Sequence, residues 1–336
     1  MIGVINIKNI IKVLCMMIFT LLIVGCSKKN SKEIYKELVD KLEDLDSYTL
    51  EGELQMFNDD NSFKYNVTVN YLEDDNFKVD LINKSNNHRQ IILRNNDGVY
   101  VITPSLNKSF KFQSEWPYNN SQSYILQVLL DEMENDKERT FEETDENYIF
   151  TTKVNYSNNS DLVKQKIYLD KDYNFSKVEV LDESDTAKII MTFKSIDYNK
   201  DFDKDYFTLN YNVKETNLDK TTAKIDEIIY PMYLPKNTTL TSQDRVSLPS
   251  GERVILTFKG DKPFTFIQET ISVDDELTTV LSYGEPTLLC DSVASLSSNS
   301  ITWISNGVEY YIVSDALSEQ ELTEIAVSIS SIPVMK

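Results

Sequence analysis

The chain has 336 residues, 41% of them hydrophobic and 26% charged, enough for two compact domains with apolar cores. Its 54 acidic residues against 34 basic ones give a formal net charge of -20, which opposes phosphate backbones and excludes nucleic acid as a partner. The same balance gives no polybasic attraction to anionic lipid, so membrane attachment would need something other than surface charge.

Residues 1–25 behave as one unit. Lys8 and Lys12 form a short positive region, Val13 to Val24 an apolar run, and Gly25 precedes Cys26. The run is too short to span a bilayer comfortably and has the flanks of a signal peptide. The ending Ile23-Val24-Gly25-Cys26 resembles the lipobox of a bacterial lipoprotein. That resemblance implies cleavage between Gly25 and Cys26, a diacylglycerol on the Cys26 sulfur and a further fatty acyl chain, such as palmitate, on the new amino terminus. Two or more chains on one residue anchor stably. Of the 3 cysteines, Cys15 leaves with the signal and Cys26 is capped, so no disulfide framework is expected. Cys290, in "TLLCDSV", reads as a small buried hydrophobe and not a nucleophile.

Residues 26–30 form a short polar spacer. Ile34, Leu38, Leu42 and Leu45 then share one helical face, predicting an amphipathic helix over 31–46, with Asn30 and Glu33 as its capping box. From Tyr48 the period turns from helical to alternating. "YTLEGELQMF", "FKYNVTVNYL", "FKVDLIN", "RQIILRN", "GVYVITP" and "KSFKFQ" are strands parted by turn clusters such as Asp74-Asp75-Asn76. "NNSQSYILQVLLDEMEND" interrupts them as an inserted helix, with Ile125, Leu129 and Met133 on one face. Strands resume through "AKIIMTFKSIDYN", predicting one antiparallel sheet of ten or more strands with helices over one face. A polar linker falls at 213–224, between a domain over 31–212 and a smaller α+β domain over 225–336. In the latter, Asn306-Gly307 suits a type I′ hairpin turn, and "LSEQELTEIAVSI" is a final helix capped by Ser318 and Glu321.

The motifs of catalysis are missing from this sequence. The one histidine, His88, sits in the polar turn "KSNNHRQ" and reads as a solvated loop residue. There is no G-x-S-x-G elbow, no cysteine and histidine spacing for a metal, and no glycine-rich phosphate loop. Asp170-x-Asp172-x-Asn174 imitates the opening of an EF-hand, but Phe175 and Leu181 stand where that loop needs glycine and glutamate, so a β-turn is expected. Asp197-x-Asn199-x-Asp201 fails in the same way at Phe202 and Thr208. The expectation is a non-enzyme without metal or cofactor. The aromatic run over 100–124, with Tyr100, Phe110, Phe112, Trp116, Tyr118 and Tyr124, reads either as sheet core or as candidate groove or partner contacts.

The texts "DGVYVITPSLNKSFKFQSEWPYNNSQSY", "YLDKDYNFSKVEVLDES" and "IIMTFKSIDYNKDFDKDYFTLN", after a lipoprotein signal, a helix and a run of hairpins, resemble the Gram-positive lipoproteins related to LolA. The resemblance is to the sporulation-associated YdcC type and the germination lipoprotein GerS of clostridia. The segment from "YPMYLP" to "ITWISNGVEYYIVSDALSEQELTEIA" is similar to a domain of unknown function and favours the two-domain YdcC type. This implies an α+β fold: an open half-barrel antiparallel sheet with helices in its concavity, followed by a smaller α+β domain. It further implies a membrane-anchored, non-catalytic envelope lipoprotein of sporulation or germination, facing out of the cytoplasm in the space between mother cell and forespore. Such a protein would scaffold a partner such as a cortex peptidoglycan amidase. The alternatives it leaves are a carrier of lipid or lipoprotein acyl chains on the concave face, and an envelope-signalling regulator.

Overall fold

The computed structural model describes residues 30–42, 45–58, 61–214, 225, 227–249, 251–271 and 277–330. The signal segment, Cys26 with most of its spacer, and most of the linker at 213–224 lie outside the described residues. Contacts divide the chain into two units, Met1–Glu43 and Asp44–Lys336.

In the first unit, helix α1 (Ser31–Leu42) carries Ile34, Leu38 and Leu42 on one buried stripe. Its N-terminus closes reciprocally: Glu33 N–H donates to Asn30 Oδ1 at 3.0 Å, and Asn30 N–H donates to the Glu33 carboxylate at 3.1 Å. That is the expected capping box. The helix ends short of the predicted 46, because Leu45 and Asp46 already lead without helical structure into the first strand.

The second unit holds two sheets. The larger has β1 (Ser47–Asn58), β2 (Asn61–Leu72), β3 (Asn76–Asn83), β4 (Arg89–Asn95), β5 (Gly98–Thr103) and β6 (Lys108–Phe112). After helix α2 (Leu126–Asn135) it continues with β7 (Thr140–Glu143), β8 (Tyr148–Lys153), β9 (Leu162–Leu169), β10 (Phe175–Asp182) and β11 (Ala187–Tyr198). Spatially β11 lies beside β1, and the two halves fan out from that pair. The β2–β3 turn places Asp74 and Asp75 at φ of 62° and 61°, the paired left-handed residues of a type I′ turn. At Gly52, opposite a bulge of β11 at Lys194, a Cβ would lie 2.6 Å from the Thr192 carbonyl oxygen, so only glycine lets β11 approach.

Strand alternation separates two faces. The inner face carries Leu50, Leu54, Val67, Val69, Val79 and Leu81, all buried. Helix α2 lies on it, since Tyr48 Oη donates to Gln127 Oε1 at 2.9 Å. The outer face carries Ile91, Leu93, Tyr100 and Ile102, covered by Phe207 and by Leu209 of the short helix α3 (Leu209–Lys214). Helical segments therefore cover both faces, where the sequence predicted one. The cause is local: β4 and β5 bury consecutive residues, so each face there needs its own cover.

The smaller sheet has β12 (Thr238–Leu248), β13 (Gly251–Gly260), β14 (Phe264–Thr270), β16 (Glu285–Leu288), β17 (Val293–Ser297), β18 (Ser300–Ser305) and β19 (Val308–Val313). Helix α4 (Glu319–Ser330) shares a core with it, turning Leu322, Ile325, Ala326 and Ile329 towards Trp303 and Phe266. The Ser318–Glu321 cap forms as expected, and Asn306 and Gly307 both take positive φ.

One strand changes sheets. β15 (Thr278–Ser282) leaves the C-terminal half and pairs in parallel with β6 at the edge of the larger sheet, making twelve strands. The Ser109 and Thr279 hydroxyls meet at 2.8 Å across this joint. With β15 at one edge and β7 at the other, the sheet stays open. This is the α+β open-sheet architecture expected from the resemblance.

Candidate binding surfaces

A second crossing follows β15. The stretch Leu288–Val293 lies on the inner face of the larger sheet and is fastened there by buried hydrogen bonds. Tyr65 Oη donates to the Cys290 carbonyl at 3.0 Å, and Val293 N–H donates to Gln90 Oε1 at 2.6 Å. Between this stretch and the sheet a cavity of about 160 Å³ remains, lined by Leu54, Ile92, Tyr124, Leu289 and Cys290 among others. At Phe57, Leu162, Lys188 and Val327 it meets a wider cleft of about 370 Å³. Phe57 lies one residue from the end of β1, Leu162 begins β9, Lys188 lies on β11 and Val327 comes from α4, so strand ends and a helix form the mouth.

The six aromatic candidates do not form one surface. Tyr100 lies on the outer face, in the cluster under Phe207. Phe110 packs against Leu106, Ile271 and Ile304 near the β15 joint. Phe112 and Trp116 are buried, and Trp116 sets its ring edge to Phe77 at 6.2 Å. Tyr124 lines the cavity. Tyr118 alone of the six is substantially open, at 47% exposure, with its hydroxyl donating to Asp75 at 2.7 Å. More apolar surface is open on β15, where Leu281 is 67% exposed, and at Tyr283, 77% exposed. Sequence reasoning had no means to find these two, since their exposure depends on where the crossing strand lands.

The reactive side chains are subdued by their surroundings. Burial pushes the Cys290 thiol up to about 12, so at neutral pH it is an inert hydrophobe. His88 differs from the expected solvated residue: its Nε2 is buried without a partner among the described residues. Burial holds its pKa below the ordinary value, against the opposing pull of Asp291. The cause of the difference is again the crossing stretch, which brings Asp291 close to the β3–β4 turn. At 170–174 the β-turn forms, and Asp170 Oδ1 accepts from the backbone of Asp172 and Asn174 at 2.9 and 2.8 Å. Among the described residues no group of His, Cys, Asp and Glu is arranged to hold a metal ion.

Glu132 of α2 is the exception to this quiet chemistry. Its carboxylate sits over the inner face, accepting from the Ser121 hydroxyl and from Gln165 Nε2. Burial raises its pKa to about 7, and the two hydrogen bonds only partly offset that. No motif marks Glu132; only its place one turn from Leu129 hinted that it faces inward.

Residues 7–207 match the family described as sporulation protein YdcC-like. The chain belongs to that family. The sporulation protein YdcC of Bacillus subtilis (strain 168) is 33% identical over 326 residues, 96% of each chain. Among solved structures, a chain of the Pseudomonas aeruginosa MucA/MucB complex is similar over 88% of this chain and 96% of its own, at 10% identity and a TM-score of 0.32. A LolA superfamily protein of Nitrosomonas europaea is similar over 55% and 99%, at 11% identity and a TM-score of 0.32. A chain of the CwlD amidase–GerS lipoprotein complex of Clostridioides difficile is similar over 54% and 99%, at 16% identity and a TM-score of 0.20. These three superpositions are loose, and the functional reading rests on the chain's own geometry and its family.

Proposed function

We propose that this chain is a non-catalytic binding protein of the cell envelope in sporulation, held at the extracytoplasmic face of the membrane by lipidated Cys26. It engages a protein partner, for which a cortex peptidoglycan amidase is the first candidate. The observation that carries the partner reading is the state of the inner face. A carrier of acyl chains needs that face open, yet Leu288–Val293 occupies it and leaves only about 160 Å³. Sites for small molecules run to roughly 300–1,000 Å³. Open apolar surface remains at the β15 edge, where Val280, Leu281 and Tyr283 are exposed together, of the kind that a partner covers. The anchor reading is supported by the Ile23–Cys26 signal ending and the short spacer behind it.

The test is a pull-down from membranes of sporulating cells, comparing the native chain with a Leu281→Asp, Tyr283→Asp variant. Recovery of an envelope amidase with the native chain and its loss with the variant is the expected result. Stoichiometric acyl lipid bound non-covalently to both proteins, beyond the Cys26 anchor, and no amidase on either, would put the carrier reading in its place. Cys26→Ala should move the protein to the soluble fraction after a carbonate wash, and retention on the membrane would remove the lipid anchor from the account.

A further inference from the structure

The cleft beyond the inner-face cavity has a chemistry that the partner reading does not use. Carboxamides share its polar wall with the carboxylates of Asp161 and Glu324. Asn158 and Asn159 line it together with Phe57, Leu162, Lys188 and Tyr233, and Gln122 lines the adjoining cavity. Among the described residues the carboxamides of Asn158 and Gln122 make no hydrogen bond. Each offers two donors and an acceptor in one plane. Tyr233 is 40% exposed at the cleft, with its hydroxyl hydrogen-bonded to Glu324. Lys188 already has Asp182 at 3.5 Å, so the cleft has no unopposed cation calling for an anion.

Two features narrow the class of ligand. The first is volume: about 370 Å³ lies within the range of small-ligand sites, unlike the inner cavity. The second is the backbone. The sheet residues at the cleft belong to β1, β9 and β11, which are interior strands with neighbours on both sides. No ladder edge is open there to an added peptide strand, so recognition falls to side chains. Planar amides, carboxylate acceptors at Asp161 and Glu324, a half-exposed tyrosine and a small apolar floor at Leu162 and Val327 suit an uncharged ligand with hydroxyl and acetamido groups.

We propose that this cleft binds a short N-acetylated oligosaccharide. Asn158 and Gln122 pair with its hydroxyl and acetamido groups, Tyr233 stacks on a sugar ring, and Leu162 with Val327 receives the acetamido methyl. The site depends neither on the Cys26 anchor nor on the partner surface at β15, which lies on different residues.

The test is saturation-transfer NMR and calorimetric titration of the detergent-solubilised full chain with chitotriose. Cellotriose serves as the analogue without acetamido groups, and tetra-alanine as the peptide probe. Chitotriose should bind, with its acetyl methyl protons most strongly saturated, and cellotriose should bind about tenfold more weakly, the loss of one good hydrogen bond and its apolar contact. Asn158→Ala and Tyr233→Ala should each weaken chitotriose by about tenfold at an unchanged melting temperature. Three results would overturn the proposal: no transfer at millimolar chitotriose, equal binding of cellotriose, or tetra-alanine binding in the place of the sugar.

Discussion

Two glutamines on the inner face of the larger sheet, Gln90 on β4 and Gln165 on β9, are buried to 3% and 0% exposure and each faces a threonine on the next strand. Gln90 Nε2 donates to Thr103 Oγ1 at 3.3 Å, and its Oε1 accepts from Val293 N–H. Gln165 Nε2 donates to Thr152 Oγ1 at 3.2 Å and to the Glu132 carboxylate, while its Oε1 has no partner among the described residues. One glutamine fastens the crossing stretch with neutral groups, and the other fastens α2 through a group that titrates. A buried polar contact stabilises most when every atom is satisfied, and an ionised carboxylate carries a desolvation cost that a neutral amide does not. The two ends of the sheet should therefore respond differently to pH.

The largest expected effect is at Glu132. Its folded-state pKa of about 7 lies above that of the exposed carboxyl, so the folded protein holds a proton that the unfolded chain has lost. Its contribution to the unfolding free energy should be constant at low pH, fall as pH rises through the interval from about 4.5 to 7, and level off above it. The loss is on the order of 3 kcal/mol, and Glu132→Gln should abolish it in denaturant titrations run across that interval. An identical pH profile in the variant would remove the contrast between the two ends.

Next comes Gln90→Leu, which leaves the buried Val293 N–H without an acceptor. Equilibrium unfolding should show a loss of about 2 kcal/mol, and this loss should be the same at pH 5 and pH 8. Smallest is Tyr65→Phe, which removes the 3.0 Å bond to the Cys290 carbonyl and should cost about 1 kcal/mol by the same measurement. Deuterium exchange would sharpen the reading: both substitutions should speed exchange at Val293, while Glu132→Gln should leave that amide unchanged.

Short-range features were legible because the groups that make them are neighbours in the chain. Asn30 finds Glu33, Ser318 finds Glu321, and the Asp170 carboxylate finds Asn174, all within four positions. Residue identity and spacing settle such contacts whatever the rest of the chain does. The faces of the aromatics were less legible. Alternation separates Tyr100 from Phe110 and Phe112, but β4 and β5 are buried on both sides, so no pattern says which face is the interior. The candidate site was the least legible part. Asn158 and Tyr233 are remote in sequence, and nothing in either neighbourhood links them before the sheets are assembled.

The sequence by itself determined the hairpins, the capped helices and the type I′ turn at Asn306-Gly307, since local hydrogen bonds and period-two burial dictate them, while the open α+β class followed from the family resemblance. Only the tertiary structure decided that Thr278–Ser282 would pair with β6 and that Leu288–Val293 would lie on the inner face. Parallel pairing across a separation of 170 residues leaves no turn to read. The inner face is closed by a stretch whose composition would serve equally well in an ordinary core. Which apolar surface covers which is set by the competition among all of them for burial, and that competition is resolved only in the folded chain.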